Sequence, residues 1–149
     1  MPATSPDDIA RASAAALTLL TSASALQDRG EHGSAVVVAQ SAAEVAVAAA
    51  VSRQLRRKGV PEALAAWIVR RDVRGQSFSP DSERIQALWS ALTGDRLPAA
   101  EWWAGYCKGV RERDRFVHEG HAVTERVAAD FLAAVGQLVE RVRTASATP

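Results

Sequence analysis

The chain has 149 residues, 48% hydrophobic and 23% charged, the balance of a folded globular domain rather than a disordered segment. Its net charge of +1 excludes a basic field over the whole surface, so any site for a polyanion must be local. The single cysteine, Cys107, excludes an internal disulfide. Because no secretory leader is recognised either, the sequence predicts a cytoplasmic protein.

No segment is predicted to cross a membrane. The most apolar run extends from Ser34 to Val51, but Gln40, Ser41 and Glu44 interrupt it. Alanine also accounts for much of the hydrophobicity of this run. We therefore interpret it as the buried helix of a soluble bundle.

Helix start and stop signals divide the chain into six helical segments. Ser5-Pro6-Asp7-Asp8 begins the first, since serine caps helices, proline suits the first turn, and acids favour the positive helix end. The second is apolar almost all round in its first half, which is typical of the central helix of a bundle. Glycines end several segments. The predicted helices span about residues 6–29, 34–58, 61–72, 79–93, 98–118 and 123–143.

The sequence predicts an all-α fold. No segment has the alternating pattern of a strand, and short connections favour an antiparallel up-and-down bundle of four long helices with two short ones inserted between the second and third. Residues 6–143 form one domain in this prediction, with a flexible N-terminus at 1–5 and a flexible tail at 144–149. The tryptophans are expected in the core, although one of the adjacent pair could face a partner: Trp67, Trp89, Trp102 and Trp103.

Residues 111–121 form the chemically richest stretch, with three arginines, three acids and two of the three histidines. Arg113 lies seven residues after Tyr106, close to the predicted buried face of its helix. A partly buried arginine needs an acceptor, for which Asp114 and Glu44 are the candidates. A structural ion pair that fixes the register of the bundle is the alternative interpretation. The predicted buried face consists of Trp102, Trp103, Tyr106, Val110 and Val117.

His118 follows Arg113 by five residues, about 140° around a continuous helix and too far to act with it. Gly120 predicts that the helix ends here. A turn of the backbone would then bring His118 back beside Arg113. Alternatively, His118 is a capping or surface residue.

The segment from Arg113 to His118 resembles the motif of HEPN domains (higher eukaryotes and prokaryotes nucleotide-binding). That motif has an arginine, four to six residues and a histidine, often with a polar residue directly after the arginine. Asp114 takes the polar position, where asparagine is commoner in the family. Two other registers also fit the spacing, namely Arg111 with His118 and Arg115 with His121.

The wider layout is also similar to that family. HEPN domains are antiparallel helical bundles in which the motif ends one helix and a loop leads to the last helix. The helix with Ala39, Ala43 and Glu44 is similar to their alanine-rich second helix. The resemblance therefore covers most of residues 6–143.

The resemblance implies a metal-independent endoribonuclease without a cofactor, which acts as a homodimer with a composite cleft. In such an enzyme the 2′-OH of RNA attacks the adjacent phosphate. His118 would move protons, Arg113 would clamp the phosphate, and Asp114 and Glu44 would orient them. The remaining charged residues of the stretch would contact the RNA backbone or, alternatively, form a solvated surface: Arg111, Arg115 and His121.

Such proteins act as toxins or phage-defence components, often beside an antitoxin of nucleotidyltransferase type. A non-catalytic module that binds nucleotide, RNA or protein is one alternative function, and a structural oligomerisation bundle is another. No metal site is predicted, because nothing completes a set that would start from His118 and His121 with Glu119 or Glu125. Basic residues at 53–58 and 70–74 could contact RNA, although such charges more often lie on a solvated helix end.

Overall fold

The computed structural model describes residues 5–70 and 78–145. Within those ranges the chain forms six α-helices and one 3-10 helix, with no β-strand. The prediction of an all-α chain, with two short helices between the second and third long ones, is confirmed. The α-helices are α1 (Pro6–Asp28), α2 (His32–Arg57), α3 (Glu62–Val69), α4 (Glu83–Thr93), α5 (Trp103–Glu119) and α6 (Glu125–Ala145), and the 3-10 helix is Leu97–Ala99.

Local capping signals set several helix ends where the sequence predicted them. The Ser5 hydroxyl accepts a hydrogen bond from the Asp8 backbone N–H at 3.1 Å, so α1 begins at Pro6. Gly94 ends α4 with φ at 75°, and Gly120 ends α5 with φ at 67°. Glycine adopts this left-handed conformation without the steric penalty of a side chain.

Two predicted helix starts were wrong. Ser79, Pro80 and Asp81 form a turn instead, in which the Ser82 N–H donates to the Ser79 carbonyl at 3.1 Å, and α4 begins at Glu83. Pro98 lies in the 3-10 helix rather than in α5, which begins at Trp103. A proline suits the first turn of a 3-10 or an α-helix equally well, so its presence did not distinguish them.

The third helix is shorter than predicted. It ends at Val69, and Arg70 has the extended conformation, with φ at −63° and ψ at 141°. The predicted end at Asp72 lies outside the described residues, as does most of the predicted loop at 74–79.

The central helix of the fold is α2, as its sequence predicted. It contacts α1, α3, α4, α5 and α6. Fourteen of its 26 residues are buried, most of them alanine and valine. Small side chains let the neighbouring helices approach closely, so this helix connects the parts of the bundle.

Two glycines fix α5 against its neighbours. A side chain at Gly109 would overlap the Phe131 ring of α6, with its Cβ only 2.7 Å from the Cβ of Phe131. A side chain at Gly33, in the first turn of α2, would overlap the Phe116 ring of α5. These contacts hold the end of α5 beside the start of α2.

Two predicted core residues lie on the surface. Val117 is 45% exposed, and Phe116 packs inward instead, because the start of α2 covers only the side of α5 that faces Gly33. Trp67 is 61% exposed. Its helix α3 buries Ala65 and Val69, and the only extensive contact of α3 with another helix of the described chain is with α2.

Two helices are long and apolar enough to cross a membrane by length and composition alone, α1 and α2. In α2, 61% of the most apolar window is buried within the protein, compared with 17% in α1. Core helices of soluble proteins and signal sequences pass the same test, so the property is weak evidence for a membrane span.

A hydrogen-bonded ion pair connects the end of α4 to α6. Arg141 donates to the two carboxylate oxygens of Asp95, from Nε at 2.9 Å and from Nη2 at 2.5 Å. The indole N–H of Trp89 also donates to Asp95, at 3.2 Å. The hydrogen bonds from Arg141 are the main reason that the pKa of Asp95 lies below its ordinary value, although partial burial opposes them.

We expect Asp95→Asn to lower the free energy of unfolding by about 1–3 kcal/mol at neutral pH, because it weakens charge-assisted hydrogen bonds. The lowered pKa of Asp95 means that this stabilisation is complete above the unfolded-state pKa of about 4 and is lost as pH falls through the folded-state value. Urea unfolding at neutral and acidic pH measures both effects. An equal difference between the two proteins at every pH would contradict the assignment.

Candidate functional site

The chemically rich stretch occupies the last turns of α5 and the link that follows. The helix continues through His118 to Glu119 and ends at Gly120. The His121 N–H donates to the Arg115 carbonyl at 3.2 Å and closes the end of the helix. The backbone therefore turns after His118, not before it. Within one chain the expected return of His118 beside Arg113 does not occur, and the two stay about 140° apart around the helix.

Arg113 is partly buried, with 29% of its side chain exposed. Its Nη1 donates to a carboxylate oxygen of Asp114 at 2.8 Å, so Asp114 is the acceptor of the two expected. Its Nε is buried and has no hydrogen-bond acceptor within the described residues. Asp114 holds one end of the guanidinium, and the exposed part of the side chain is the part that a further oxygen ligand can reach.

Within the described residues, Glu44 forms no hydrogen bond or ion pair with Arg113. It lies half-buried on α2 and accepts a hydrogen bond from Gln40 Nε2 at 3.2 Å. Its charge acts instead on Tyr106, whose pKa is raised well above the ordinary value, chiefly by burial and then by Asp81 and Glu44. Tyr106 precedes Arg113 by seven residues, about 10 Å along α5. Of the two candidate acceptors, Glu44 is thus the one that makes no hydrogen bond to Arg113 within the described residues.

The alternative register has a direct contact. Arg115 Nη2 donates to His121 Nδ1 at 3.4 Å. Two carboxylates also compete for Arg115: Glu112 at 3.3 Å and Glu119 at 3.9 Å. Arg111 is exposed and has no ion pair within residues 5–70 and 78–145. The direct contact therefore favours the register of Arg115 with His121. The two carboxylates beside Arg115 argue against it, because they already neutralise this arginine.

His32, the third histidine, lies in the first turn of α2 and was not predicted to be a site residue. Its Nδ1 is 2.7 Å from Gln27 Oε1, while Gln27 Nε2 donates to the Glu125 carbonyl at 3.0 Å. Because the amide group of Gln27 already donates elsewhere, its oxygen accepts from His32, and Nε2 of His32 keeps the lone pair in the neutral ring. In the sequence, His32 is marked only by its place near the polar start of a helix. Polar residues at helix starts usually have a structural capping role, so this did not indicate a functional site.

A cavity of about 290 Å³ lies between the start of α2 and the link after α5. Glu31 caps α2 without a side-chain hydrogen bond, so the first N–H groups of this helix face outward without partners inside it. The positive end of a helix favours phosphate groups. We call the motif end the part of the protein formed by this cavity, the last turns of α5 and the link that follows α5. It contains His32, His118 and His121. The cavity is lined by Gly30, Glu31, His32, Gly33, Ser34, Phe116, Ala122 and Val123.

Other chemistry is limited in the part of the chain that the structure describes. Burial raises the pKa of the Cys107 thiol, with a further contribution from Asp81, so the reactive thiolate is disfavoured. No group of three or more histidine, cysteine, aspartate or glutamate side chains converges there as metal ligands would. The motif end is therefore the strongest candidate site.

Comparisons with models of protein families, with curated proteins and with solved structures found no match to this chain.

Proposed function

We propose that the protein is a metal-independent endoribonuclease of the HEPN type, which cleaves RNA by attack of the 2′-OH on the adjacent phosphate. The partly buried Arg113, which Asp114 holds in place and which keeps 29% of its side chain exposed, is the observation on which this proposal rests most. Such a guanidinium can hold a phosphate by two hydrogen bonds and stabilise the negative charge that grows on it during attack.

We propose that the active site forms between two chains. Within one chain, His118 is on a different side of α5 from Arg113 and cannot share a phosphate with it. A two-fold axis at the motif end would place His118 of one copy across from Arg113 of the other. The exposed Val117, between the two residues in sequence, supplies an apolar contact for such an interface. The long helices run up and down in this proposal, as in HEPN bundles.

In this mechanism two copies of His118 divide the proton transfers. One takes the proton from the 2′-OH, and the other gives a proton to the leaving 5′-oxygen. Arg113 holds the non-bridging phosphate oxygens, and Asp114 keeps its guanidinium in place. Arg111, Arg115 and His121 then lie on the RNA path, where they contribute to salt-dependent backbone binding. Glu44 has no direct step, because its contacts are with Gln40.

We propose a cytoplasmic toxin or phage-defence component as the biological setting, with an antitoxin of nucleotidyltransferase type as the partner that restrains it. The alternative is a module that binds RNA or nucleotide without cleavage. One observation favours that alternative: within the described residues, no side chain hydrogen-bonds to His118 and orients it for proton transfer.

The test is incubation of structured and unstructured RNA with purified protein and excess EDTA. We expect cleavage that leaves 2′,3′-cyclic phosphate ends, and a loss of at least about 100-fold in His118→Ala, because general acid–base catalysis supplies about that much. Arg84→Ala, at an exposed position of α4 outside the motif end, serves as the control and should cleave as the wild type does. Retention of RNA without cleavage would support the binding module and contradict the nuclease.

A further inference from the structure

Two complementary polar atoms are buried without a partner in α2 and α5. Among the described residues, four polar side-chain atoms are buried and have no hydrogen-bond partner: Gln40 Oε1, Arg53 Nε, the Tyr106 hydroxyl and Arg113 Nε. Gln40 Oε1 is the only one of the four that can accept but not donate, and Arg113 Nε can only donate. Because buried polar atoms are nearly always paired, this acceptor and this donor need an explanation.

Two contacts set the register of α2 against α5. Gly33, near the start of α2, packs against the Phe116 ring, near the end of α5. Further along α2, the charge of Glu44 acts on Tyr106, which comes earlier in α5. The two contacts are about 16 Å apart along α2 and about 15 Å apart along α5, in opposite chain directions. The helices therefore run antiparallel where they meet.

In this register, the side chains of Gln40 and Arg113 approach the same level. Gln40 follows Gly33 by about 10 Å along α2, and Arg113 precedes Phe116 by about 5 Å along α5. A side chain on a helix leans toward the N-terminus of its own helix, so on antiparallel helices these two lean toward each other. Around the helix axis, Gln40 is about 20° from Gly33, and Arg113 is about 60° from Phe116. Both are thus on the sides of α2 and α5 that meet.

Glu44 determines which end of the Gln40 amide is available to Arg113. Gln40 is only 5% exposed, and its Nε2 donates to a carboxylate oxygen of Glu44 at 3.2 Å. A carboxylate only accepts, so the amide nitrogen must face Glu44 and the amide oxygen must face away from it. Away from Glu44 is toward the start of α2, which is the side of Gln40 on which Arg113 lies. Tyr106 lies on the other side, beside Glu44.

We propose that one buried water bridges Arg113 Nε and Gln40 Oε1, and that Gln40 thereby positions the Arg113 guanidinium. The water accepts the Nε–H of Arg113 and donates to the amide oxygen of Gln40, so both buried atoms gain a partner. No direct hydrogen bond joins the two atoms, so the bridge has room for one molecule between them. Glu44 acts through Gln40, because it holds the amide in the orientation that the bridge requires.

The bridge gives the Arg113 guanidinium a defined orientation. Its Nε is held from the interior, and its Nη1 is held by Asp114 at 2.8 Å. The N–H groups that remain are on the two terminal nitrogens, and that end of the guanidinium can donate two parallel hydrogen bonds to one phosphate. Gln40 is therefore a positioning residue, which acts through Arg113. Its effect on cleavage rests on the proposed ribonuclease function, whereas the bridge itself does not.

The first measurement is NMR of the Arg113 side-chain ¹⁵Nε–Hε group in the full chain without RNA. In the wild type we expect cross-relaxation between Hε and a long-lived water. Gln40→Met should abolish it, because methionine has a similar size but no amide oxygen. Gln54→Met is the matched control, since Gln54 is the other buried glutamine of α2 and donates to the Ala145 carbonyl at 3.3 Å instead. No water signal at Hε in the wild type, or an unchanged signal in Gln40→Met, would overturn the bridge.

Cleavage of RNA tests the positioning role separately. We expect Gln40→Met to lower the single-turnover rate at least about tenfold and to change the Kd for RNA less than about threefold, because a misplaced guanidinium affects the transition state more than backbone binding. Gln54→Met should match the wild type, and circular dichroism verifies that both variants are folded. Equal rates in Gln40→Met and the wild type would overturn the positioning role. If the wild type cleaves no RNA but shows the water signal, the ribonuclease function fails and the bridge stands.

Discussion

Arg113→Lys should lower the rate of RNA cleavage by at least about 100-fold without unfolding the protein. Lysine keeps the positive charge and can still pair with Asp114, so the fold should tolerate it. It lacks the planar guanidinium that donates two hydrogen bonds to one phosphate. Cleavage under single-turnover conditions, with thermal unfolding of the same sample, measures the rate and the stability separately.

Arg115→Lys is the matched control, two residues further along α5. Arg115 is already bound by Glu112 and Glu119, so we expect its replacement to change cleavage by less than about threefold. The comparison also decides between the motif registers. If Arg115→Lys were the damaging change and Arg113→Lys the harmless one, the active pair would be Arg115 with His121, which touch each other in the structure.

Much of the fold could be predicted because its signals are local. Ser5 and Pro6 begin α1, and Gly94 and Gly120 end α4 and α5, through interactions with residues a few positions away. The central place of α2 followed from an apolar surface on every side, which only a surrounded helix can bury. These features require no knowledge of how the helices are arranged.

The wrong predictions concern contacts between distant parts of the chain. Phe116 rather than Val117 is inward because α2 happens to begin at that level, beside Gly33. Trp67 is exposed because α3 packs extensively against only one helix of the described chain, α2. Neither fact can be read from the spacing of apolar residues along one helix.

In the candidate site, too, local features could be predicted and contacts between distant residues could not. The partial burial of Arg113 followed from helical spacing, and its partner Asp114 was one of the two acceptors that the sequence left open. The position of His32 could not be predicted from the sequence. Gln27 holds the ring of His32, and Gln27 is itself fixed by Glu125, almost a hundred residues later. The helix also continues past His118, so a catalytic pair within one chain, which the sequence allowed, is replaced by the proposal of a pair between chains.

If the cleft is shared between two chains, an inactive subunit should also abolish the activity of the wild-type subunit with which it forms a dimer. If both copies of His118 are needed, a dimer of one wild-type and one His118→Ala chain has no activity. With a ninefold excess of His118→Ala chain, only about one wild-type chain in ten has a wild-type partner after subunit exchange. Activity per wild-type chain should therefore fall about tenfold.

The most direct test of the central claim is this mixing measurement, made before and after the two proteins are unfolded and refolded together. The two proteins could compete for substrate. Measurements at saturating RNA, and on the sample before exchange, separate this competition from the effect of mixed dimers. We predict an approximately tenfold loss of activity per wild-type chain that develops only with exchange. Activity that stays constant per wild-type chain, in a sample shown by native mass spectrometry to have exchanged or to be monomeric, would contradict a composite site formed by two copies of His118.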